Sequence, residues 1–471
     1  MKIHTILKCV VLVFCVQLFS YAQTNDPSLL TLERIFTLRE FDTQRTGDIQ
    51  WLDDGNKYTM LEASESVGGS EDIVSYEIET GKREVIIPAN RLIPKGGTAP
   101  LRIENYELYL SQNLLLIFTN SRRVWRINTR GDYWVVNLEN WEMHQLGIGF
   151  EPSTLMFATF SPDFKKIGYV CKNNLYVENL DDHKITALTK DGLETIINGT
   201  FDWVYEEELR LRNGFRWSPD GKRIAYWQLD ASGVGIFYLV NNTDSLYSRI
   251  IPIQYPKAGT TNSAGKVGVV SVEGGETTWF KVPGDPRNNY IARMDWAANS
   301  DEVVIQHLNR LQNTNEVMLC NAENGDVSLI FVDNDAAWVE VVNDLKWFND
   351  GAEFTWLCER DGWRHVYLIS RDGKNIKPVT QGDYDVISIE VIDEKNDWLY
   401  FIASPDNPTQ RYLFRTKLNG SGGLQRISPE EQGGTHNYNI SPNGKWAFHT
   451  FSNINTPPIT ELINLPDHKS I

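Results

Sequence analysis

The sequence predicts an all-β protein, and more narrowly an eight-bladed β-propeller. A short unit recurs along its 471 residues: an aromatic or aliphatic residue, a turn rich in Pro, Asp, Asn and Gly, and then alternating apolar residues. Pro and Gly favour the turn, and the alternation places every second side chain on one buried face. Six copies begin at Trp51, Phe160, Trp217, Trp296, Trp347 and Ile440.

The spacing of these copies predicts the number of blades. A four-stranded blade takes roughly 40 to 50 residues, and the first and last intervals between copies are about twice that length. Each of these two intervals should therefore contain one degenerate copy, for which the candidates are 104–146 and 390–426. The long interval after Trp217 indicates an insertion between Tyr238 and Lys266.

Composition and charge exclude several classes of partner. Hydrophobic residues make up 41% and aromatic residues 11% of the chain, which favours strand-rich packing over a helical bundle or disorder. The formal net charge of −17 argues against nucleic acid and anionic lipid as partners, because binding to phosphate needs basic clusters. The one local concentration of basic residues contains Arg122, Arg123, Arg126 and Arg130.

The first 22 residues have the pattern of a secretory signal peptide. Lys2 and Lys8 are basic, an apolar run covers 9–19, and the small residue Ala22 marks the expected cleavage point. The apolar run is too short to span a membrane comfortably, and no later run approaches 18 apolar residues. We therefore expect an exported product without a membrane span, either periplasmic or secreted.

These patterns give a domain organisation. Residues 1–22 form the leader, 23–47 an N-terminal extension with a short helix near Thr31, and 48–471 the propeller. Three cysteines follow the leader, and each lies in a strand-like apolar run: Cys171, Cys320 and Cys358. Buried free thiols are the simplest interpretation, although one internal disulfide is possible.

Motifs for metals and cofactors are absent from the sequence. The eight histidines show neither HExxH nor another ligand spacing, and the cysteines lack CxxC. There is no GxxxxGK[ST] motif and no GxGxxG after a predicted strand. The sequence therefore predicts no metal and no cofactor.

Three consecutive carboxylates are the strongest candidates for a binding site. Glu206, Glu207 and Glu208 follow DWVY in a segment, Asp202 to Leu211, that should form a helical turn or two. Carboxylates this close repel one another unless solvent or a cation relieves the repulsion. The α-ammonium of a peptide would be such a cation, whereas the alternative is an acidic helix start or a solvated surface run.

Several segments carry a resemblance to a known family. In chain order they are LTLERIF at 30–36, WLDDG at 51–55, the glutamate segment at 202–230, YPKAGTTN at 255–262, HLNRLQN at 307–313 and CERDGWRHVY at 358–367. Together they resemble the dipeptidyl peptidase IV family, serine exopeptidases that remove dipeptides from peptide N-termini, usually after proline or alanine. The resemblance runs from about residue 30 to the last residue, and it implies the same propeller fold.

The resemblance also implies roles for residues of the glutamate segment. Glu207 and Glu208 match the two glutamates that hold the substrate's free amino terminus in this family, and Glu206 matches the residue before them. Arg126 matches in position an arginine that contacts a substrate carbonyl oxygen in the same pocket. A guanidinium suits this role because it presents several fixed donors, and it would also keep nearby carboxylates ionised.

The match around this arginine is imperfect. Ile127 and Asn128 stand where the commoner family pattern has a histidine or tyrosine followed by a serine. Arg123 and Arg130 therefore remain rival candidates for the same role.

The family's catalytic machinery is not found in this sequence. Its C-terminal α/β-hydrolase domain carries the catalytic Ser, Asp and His, and the elbow serine requires G-x-S-x-G. Here no serine has glycine both two residues before it and two residues after it; the stretch 419–423 comes closest but begins with asparagine.

We therefore expect the N-terminal, substrate-gating propeller of an exopeptidase that releases X-Pro or X-Ala dipeptides. Peptide N-termini and a hydrolase domain in cis are its expected partners, a homodimer is possible, and the chain alone should be inactive. The alternative is a non-catalytic peptide-binding or scaffold propeller.

Overall fold

The computed structural model describes residues 28–43 and 47–471. The chain divides into two compact units between Gly47 and Asp48. The predicted leader, residues 1–22, lies outside the described residues.

A short helix is the main feature of the described part of the first unit. It is a π-helical turn, Glu33–Thr37, and it begins two residues after Thr31. Arg34 in this turn forms an ion pair with Glu40, with Nε and Oε2 2.6 Å apart. No helix in the described parts of the chain has the length and apolar character needed to cross a membrane.

The second unit consists mainly of antiparallel strands, and the all-β prediction is confirmed. The first meander of strands contains β1 (Gln50–Trp51), β2 (Lys57–Ala63), β3 (Glu71–Glu77) and β4 (Arg83–Ile87). The second contains β5 (Asn105–Tyr109), β6 (Leu114–Val124), β7 (Ile127–Asn137) and β8 (Met143–Gln145). The third contains β9 (Leu155–Phe160), β10 (Lys166–Cys171), β11 (Asn174–Asn179) and β12 (Ile185–Ala187). A single pairing, Gly131 with Leu155, joins the second and third meanders into one sheet.

The fourth sheet is interrupted twice. Its strands are β13 (Ile196–Asn198), β14 (Phe215–Trp217), β15 (Arg223–Asp230), β18 (Ala264–Ser271) and β19 (Thr278–Trp279). A separate hairpin lies between β15 and β18, made of β16 (Ile236–Asn241) and β17 (Arg249–Gln254). The single α-helix of the described residues, α1 (Trp203–Glu207), lies between β13 and β14.

Four further sheets complete the unit. The fifth contains β20 (Asn289–Trp296), β21 (Glu302–Asn309), β22 (Thr314–Asn321) and β23 (Val327–Asn334). The sixth contains β24 (Trp347–Phe348), β25 (Glu353–Cys358), β26 (His365–Ser370) and β27 (Ile376–Pro378). The seventh contains β28 (Val386–Asp393), β29 (Trp398–Ala403), β30 (Tyr412–Lys417) and β31 (Gln425–Arg426). The eighth has three strands, β32 (Thr435–Ile440), β33 (Trp446–Asn453) and β34 (Thr456–Asn464). Short 3₁₀ turns occur at Ala89–Arg91, Leu110–Gln112 and Asn349–Gly351.

The segments with the weakest repeat pattern also form sheets. The candidate at 104–146 coincides with β5 to β8, and the candidate at 390–426 coincides with β28 to β31, which begins four residues earlier at Val386. The insertion expected after Tyr238 is the hairpin of β16 and β17, which begins at Ile236. Alternating apolar residues therefore located these strands even where the turn signal was lost.

Apolar clusters lie between neighbouring sheets. The first and second sheets share one such cluster, as do the fourth and fifth sheets and the seventh and eighth. The first sheet also contacts the last. Trp51 donates a hydrogen bond of 2.8 Å from Nε1 to Oδ1 of Asn439, and its ring lies 5.3 Å from that of Phe448. Asn443 donates from Nδ2 to the Asp54 carbonyl oxygen at 2.9 Å.

The recurring turn has a common hydrogen-bonding pattern. The Ser218 hydroxyl donates to Oδ1 of Asp220 at 2.6 Å and accepts the Arg223 N–H at 2.9 Å. Gly221 has a φ of +68°, a left-handed conformation that glycine adopts without steric cost. The turn at Ser441 repeats these bonds with an asparagine in place of the aspartate. In these two copies the turn is therefore held by the Ser hydroxyl and the Asp or Asn side chain.

The three cysteines that follow the leader are free thiols. All three are buried in the structure, as the apolar runs around them predict: Cys171, Cys320 and Cys358. Burial raises the pKa of the Cys358 thiol to about 12. These thiols are therefore protonated at neutral pH and pack as small apolar groups.

One glycine allows a close approach between the fifth and sixth sheets. Gly373, in the turn between β26 and β27, has a φ of +71°, and a Cβ there would lie 1.5 Å from the carbonyl oxygen of Ile330. Gly81 is at the equivalent turn between β3 and β4 with a φ of +66°, and a Cβ there would have no neighbour within 4 Å. The two turns thus differ in packing and not in backbone conformation.

We predict that Gly373→Ala destabilises the protein more than Gly81→Ala. Both substitutions carry the cost of a left-handed alanine, about 1 kcal/mol, whereas overpacking at Gly373 adds roughly 1 to 3 kcal/mol. Urea unfolding followed by tryptophan fluorescence would measure both losses. Equal losses for the two variants would contradict the close packing of the fifth and sixth sheets at Gly373.

Candidate functional site

Helix α1 begins at a buried cap. The Asp202 side chain accepts the Tyr205 N–H at 3.0 Å and the Ser263 hydroxyl at 2.5 Å. Burial raises the pKa of Asp202, and the bonds from Ser263 and Tyr205 oppose that rise because they favour the ionised form. The buried Tyr205 hydroxyl in turn accepts the Ile291 N–H from β20 at 3.2 Å. The DWVY sequence thus fixes the helix to the fourth and fifth sheets.

Helical geometry gives the three glutamates different surroundings. Successive residues of an α-helix point about 100° apart, so consecutive side chains cannot share one face. Glu206 is 2% exposed, the Glu207 side chain is 13% exposed, and Glu208 is exposed. The three carboxylates therefore differ in hydration and in partners.

Arg126 contacts Glu207. It lies in the tight turn between β6 and β7, and its Nε is 2.5 Å from Oε2 of Glu207. The structure therefore places Arg126 at the glutamate segment, and its role in binding a substrate stays a prediction. No ion pair joins Arg123 or Arg130 to an acidic group in the described parts of the chain.

The second oxygen of Glu207 has no partner. Oε1 is buried, and no described residue donates a hydrogen bond to it. A buried acceptor left unpaired is costly, on the order of 1 to 3 kcal/mol and more for a charged group. The Arg126 side chain is 68% exposed. A small donor that enters beside Arg126 would satisfy this oxygen.

Two aromatic residues hold the arginine turn against the helix. The rings of Trp125 and Trp203 meet edge to face, 5.2 Å apart, and Trp203 also lies 5.6 Å from Tyr255. Trp125 has a φ of +52°, in the left-handed region. Sequence reasoning did not single out Trp125; its position beside Arg126 in a tight turn was the available signal.

Glu206 is a buried carboxylate that lies near Arg212, but no hydrogen bond joins the two side chains. Burial raises its pKa to about 7, the positive charge of Arg212 opposes the rise, and the negative charge of Glu207 adds to it. Nε of Arg212 lies 3.3 Å from Oε1 of Glu206, but the geometry is not that of a hydrogen bond. The Arg212 guanidinium also donates to the Glu206 carbonyl oxygen. Arg212 was not among the residues predicted from the sequence, because nothing in RLRNG distinguishes it from a surface arginine.

Glu208 lines a cleft of about 640 Å³ beside the helix. Two of the segments that carry the family resemblance meet there, YPKAG through Tyr255 and Lys257, and HLNRLQN through Arg310 and Gln312. The described residues form no ion pair with Glu208. The cleft thus combines one carboxylate with two cationic side chains, and it is a second polar surface next to the pairing of Arg126 with Glu207.

These features define an all-β protein in which a capped helix interrupts one sheet and presents carboxylates beside an arginine turn. A family model described as the dipeptidyl peptidase IV (DPP IV) N-terminal region matches residues 111–458. The chain belongs to this family.

Curated relatives agree with this assignment. The chain is 25% identical to a probable dipeptidyl peptidase 4 of Emericella nidulans, over 78% of this chain and 48% of the relative. It is 26% identical to a probable dipeptidyl-aminopeptidase B of Talaromyces marneffei, over 76% of this chain and 42% of the relative. The chain thus spans about half the length of the curated relatives it matches.

Solved structures are similar in fold. The crystal structure of Porphyromonas gingivalis dipeptidyl peptidase 4 matches with a TM-score of 0.83 and 25% identity, over 94% of this chain and 61% of that chain. A putative dipeptidyl aminopeptidase IV from Bacteroides ovatus matches with a TM-score of 0.71 and 20% identity, over 91% and 59%. The second likeness concerns the fold alone.

We predict that Glu206→Gln changes how stability depends on pH. The folded protein holds the Glu206 proton more tightly than the unfolded chain, in which the pKa is near 4.5. The carboxyl's contribution to stability therefore falls as the pH rises from about 4.5 through 7 and stays low above that range. Between pH 5 and pH 8 the free energy of unfolding of Glu206→Gln should rise by roughly 1 to 3 kcal/mol relative to that of the wild type.

Urea unfolding of both proteins at each pH measures this difference. The attraction between ionised Glu206 and Arg212 needs no separate correction, because it is already one of the causes that set the pKa of Glu206. Glu208→Gln, at the exposed neighbouring position, is the matched control and should show no such gain. Parallel pH profiles for Glu206→Gln and the wild type would show that Glu206 titrates normally.

Proposed function

We propose that the second unit is an eight-bladed β-propeller. Eight groups of antiparallel strands follow one another along the chain, with the second and third joined by the single pairing of Gly131 with Leu155. Apolar clusters lie between neighbouring groups, and the first group touches the last through Trp51 and Asn439. A closed ring of blades accounts for that contact, since the two residues are 388 positions apart in sequence. The hairpin of β16 and β17 is an excursion from the fourth blade.

We further propose that the propeller is the substrate-gating part of a dipeptidyl peptidase IV-like serine exopeptidase. Glu207 and Glu208 would hold the free amino terminus of a peptide, with Glu206 buried behind them and Arg126 beside them. The observation that carries this proposal is the buried Oε1 of Glu207, which lacks a donor. A peptide α-ammonium supplies three donors and a positive charge, and charge-assisted hydrogen bonds of this kind are the strong ones.

Arg126 has two functions in this arrangement. Its contact with Oε2 of Glu207 holds that carboxylate in one orientation. The rest of its guanidinium remains available to a carbonyl oxygen of the substrate, because the side chain is largely exposed. Together the Glu207 carboxylate and the Arg126 guanidinium would set both the position and the direction of a bound peptide N-terminus.

Peptide hydrolysis requires groups that this sequence does not contain. No serine in the 471 residues lies in G-x-S-x-G, so cleavage would depend on an α/β-hydrolase domain in cis. Fixing the amino terminus at a constant distance from that domain's serine would limit release to dipeptides, X-Pro or X-Ala. The leader would direct the protein to the periplasm or the medium, where peptides are available, and the protein could act as a homodimer.

We predict that the purified chain prefers peptides with a free amino terminus. An Ala-Pro-Ala tripeptide should bind at least about tenfold more tightly than its N-acetylated form, since a hydrogen bond to a charged group contributes roughly 1.5 to 3 kcal/mol. Glu207→Gln should bring the two affinities together. Isothermal titration calorimetry measures both, with Glu323→Gln at an exposed turn as the control. Equal binding of the two peptides by the wild type would contradict the amino-terminal site.

A separate prediction concerns catalysis. The chain without its leader should release no dipeptide from Gly-Pro or Ala-Pro chromogenic substrates. Fusion to a hydrolase domain, if the gene encodes one downstream, should restore release. In that enzyme Glu207→Ala or Glu208→Ala should reduce turnover by up to about a hundredfold.

Two results would contradict the proposed role in a dipeptidyl peptidase. Hydrolysis by the isolated chain that both substitutions leave unchanged would place the activity elsewhere. Specific peptide binding by a gene product with no hydrolase domain would favour the non-catalytic scaffold.

A further inference from the structure

The eighth sheet places polar groups in a row across its three strands. Tyr438 on β32 pairs directly with His449 on β33, and His449 pairs directly with Glu461 on β34. Nδ1 of His449 lies 3.1 Å from Oε1 of Glu461. His449 is fully buried, whereas one third of the Glu461 side chain is exposed. The row therefore leads from the interior of the sheet towards solvent.

A fourth group reaches this row from the segment after β34. His468 has a φ of +54°, in the left-handed region, and its N–H bonds to the Asn464 carbonyl oxygen at 3.0 Å. The turn brings the His468 ring to 4.6 Å from the His449 ring, nearly perpendicular to it. Its Nε2 is 2.9 Å from the Tyr438 hydroxyl. His449, Glu461 and His468 each present one ligand atom, and these three atoms lie within 4.8 Å of one another.

The hydrogen bonds of this row require more protons than two neutral rings hold. Nε2 of His436 is 2.9 Å from the Gln432 carbonyl oxygen, Nδ1 of His436 is 2.8 Å from Nε2 of His449, and Nδ1 of His449 faces Glu461. Both ends of this chain are acceptors, so its three contacts need three protons. Two neutral imidazoles supply two.

The chain can lack its third proton at either end. If His436 donates to Gln432 and His449 donates from Nε2 to His436, the lone pair of His449 Nδ1 faces Oε1 of Glu461 at 3.1 Å. If His449 instead donates to Glu461, the lone pair of His436 Nε2 faces the Gln432 carbonyl oxygen. A cation held by His449 and Glu461 would favour the first arrangement, because it would lie between the two acceptors.

We propose that His449, Glu461 and His468 bind one divalent transition-metal cation, with Zn²⁺ the best match. Two imidazole nitrogens and one carboxylate oxygen are common zinc ligands, with bonds of roughly 2.0 to 2.2 Å. At tetrahedral angles such bonds place ligand atoms about 3.3 Å apart, close to the 3.1 Å between His449 and Glu461. The bond from His449 to His436 is the kind of supporting contact that orients a metal-binding histidine.

The cation would have a structural role. It would link β33 and β34 to the turn that follows them, and the partly exposed Glu461 would give it access from solvent. Water would complete the coordination. The ligands are 12 and 7 residues apart, so the sequence spacing gave no indication of the site.

A second histidine group provides a matched comparison. Among the described residues His144, Glu178 and His183 also cluster. The Glu178 carboxylate is already satisfied by the Tyr169 hydroxyl and the Gly147 N–H, each at 2.9 Å, and its other oxygen is 2.5 Å from Nε2 of His144. That last distance is too short for two ligands of one ion. We therefore expect no specific metal binding there.

The test uses the purified chain without a polyhistidine tag, after treatment with a chelator. Titration with Co²⁺ should give the visible absorption of a tetrahedral site with one ion per chain, and Zn²⁺ should displace it. Zn²⁺ should also raise the melting temperature. Glu461→Gln and His468→Ala should each weaken binding at least about tenfold, whereas His183→Ala should leave it unchanged.

Circular dichroism of each metal-free variant checks that the fold is intact. His468→Ala tests the site even if Glu461→Gln fails to fold, because His468 lies after the last strand. No stoichiometric binding to the wild type would overturn the proposal. Binding that survives both ligand substitutions, or that disappears in His183→Ala, would also overturn it.

Discussion

The buried carboxylate of Asp202 accepts the Tyr205 N–H and the Ser263 hydroxyl, and these two bonds set where helix α1 begins. Without them an ionised group would lie in the interior with no partner, at a cost of several kcal/mol by the order of magnitude for buried charges. The Tyr205 hydroxyl extends the connection to Ile291 in the fifth sheet. The orientation of the three glutamates follows from this anchor together with the contacts of Trp203 with Trp125 and Tyr255.

Because of this orientation, Glu206, Glu207 and Glu208 differ in burial and in the charged groups around them. Burial of Glu206 raises its pKa to about 7, Glu207 is paired with Arg126, and Glu208 faces an open cleft. A run of glutamates is therefore not a single anionic patch. The proposed function depends on the middle one, Glu207, which has one oxygen without a donor among the described residues.

The histidine row of the eighth sheet is also positioned by local backbone geometry, in this case by strand register and a turn. Strand register places His449 opposite Glu461, and a left-handed turn returns His468 to them. Here the three contacts of His436 and His449 need one proton more than two neutral rings supply. In both places the proposed ligand would supply the donor or the cation that the neighbouring described residues do not provide.

The sequence by itself determined the all-β class, the position of the sheets and the identity of the glutamate segment. Alternating apolar residues and turn residues act over a few positions, so they can be read from a single chain; even the degenerate copies at 104–146 and 390–426 form strands. The partners of each group were decided by the tertiary structure. Arg126 and Glu207 are 81 residues apart, and no local pattern paired Arg212 with Glu206 or His468 with His449. Burial, which sets the pKa of Glu206 and leaves Glu207 without a donor, exists only after the sheets have packed, and a linear pattern of residue types does not contain it.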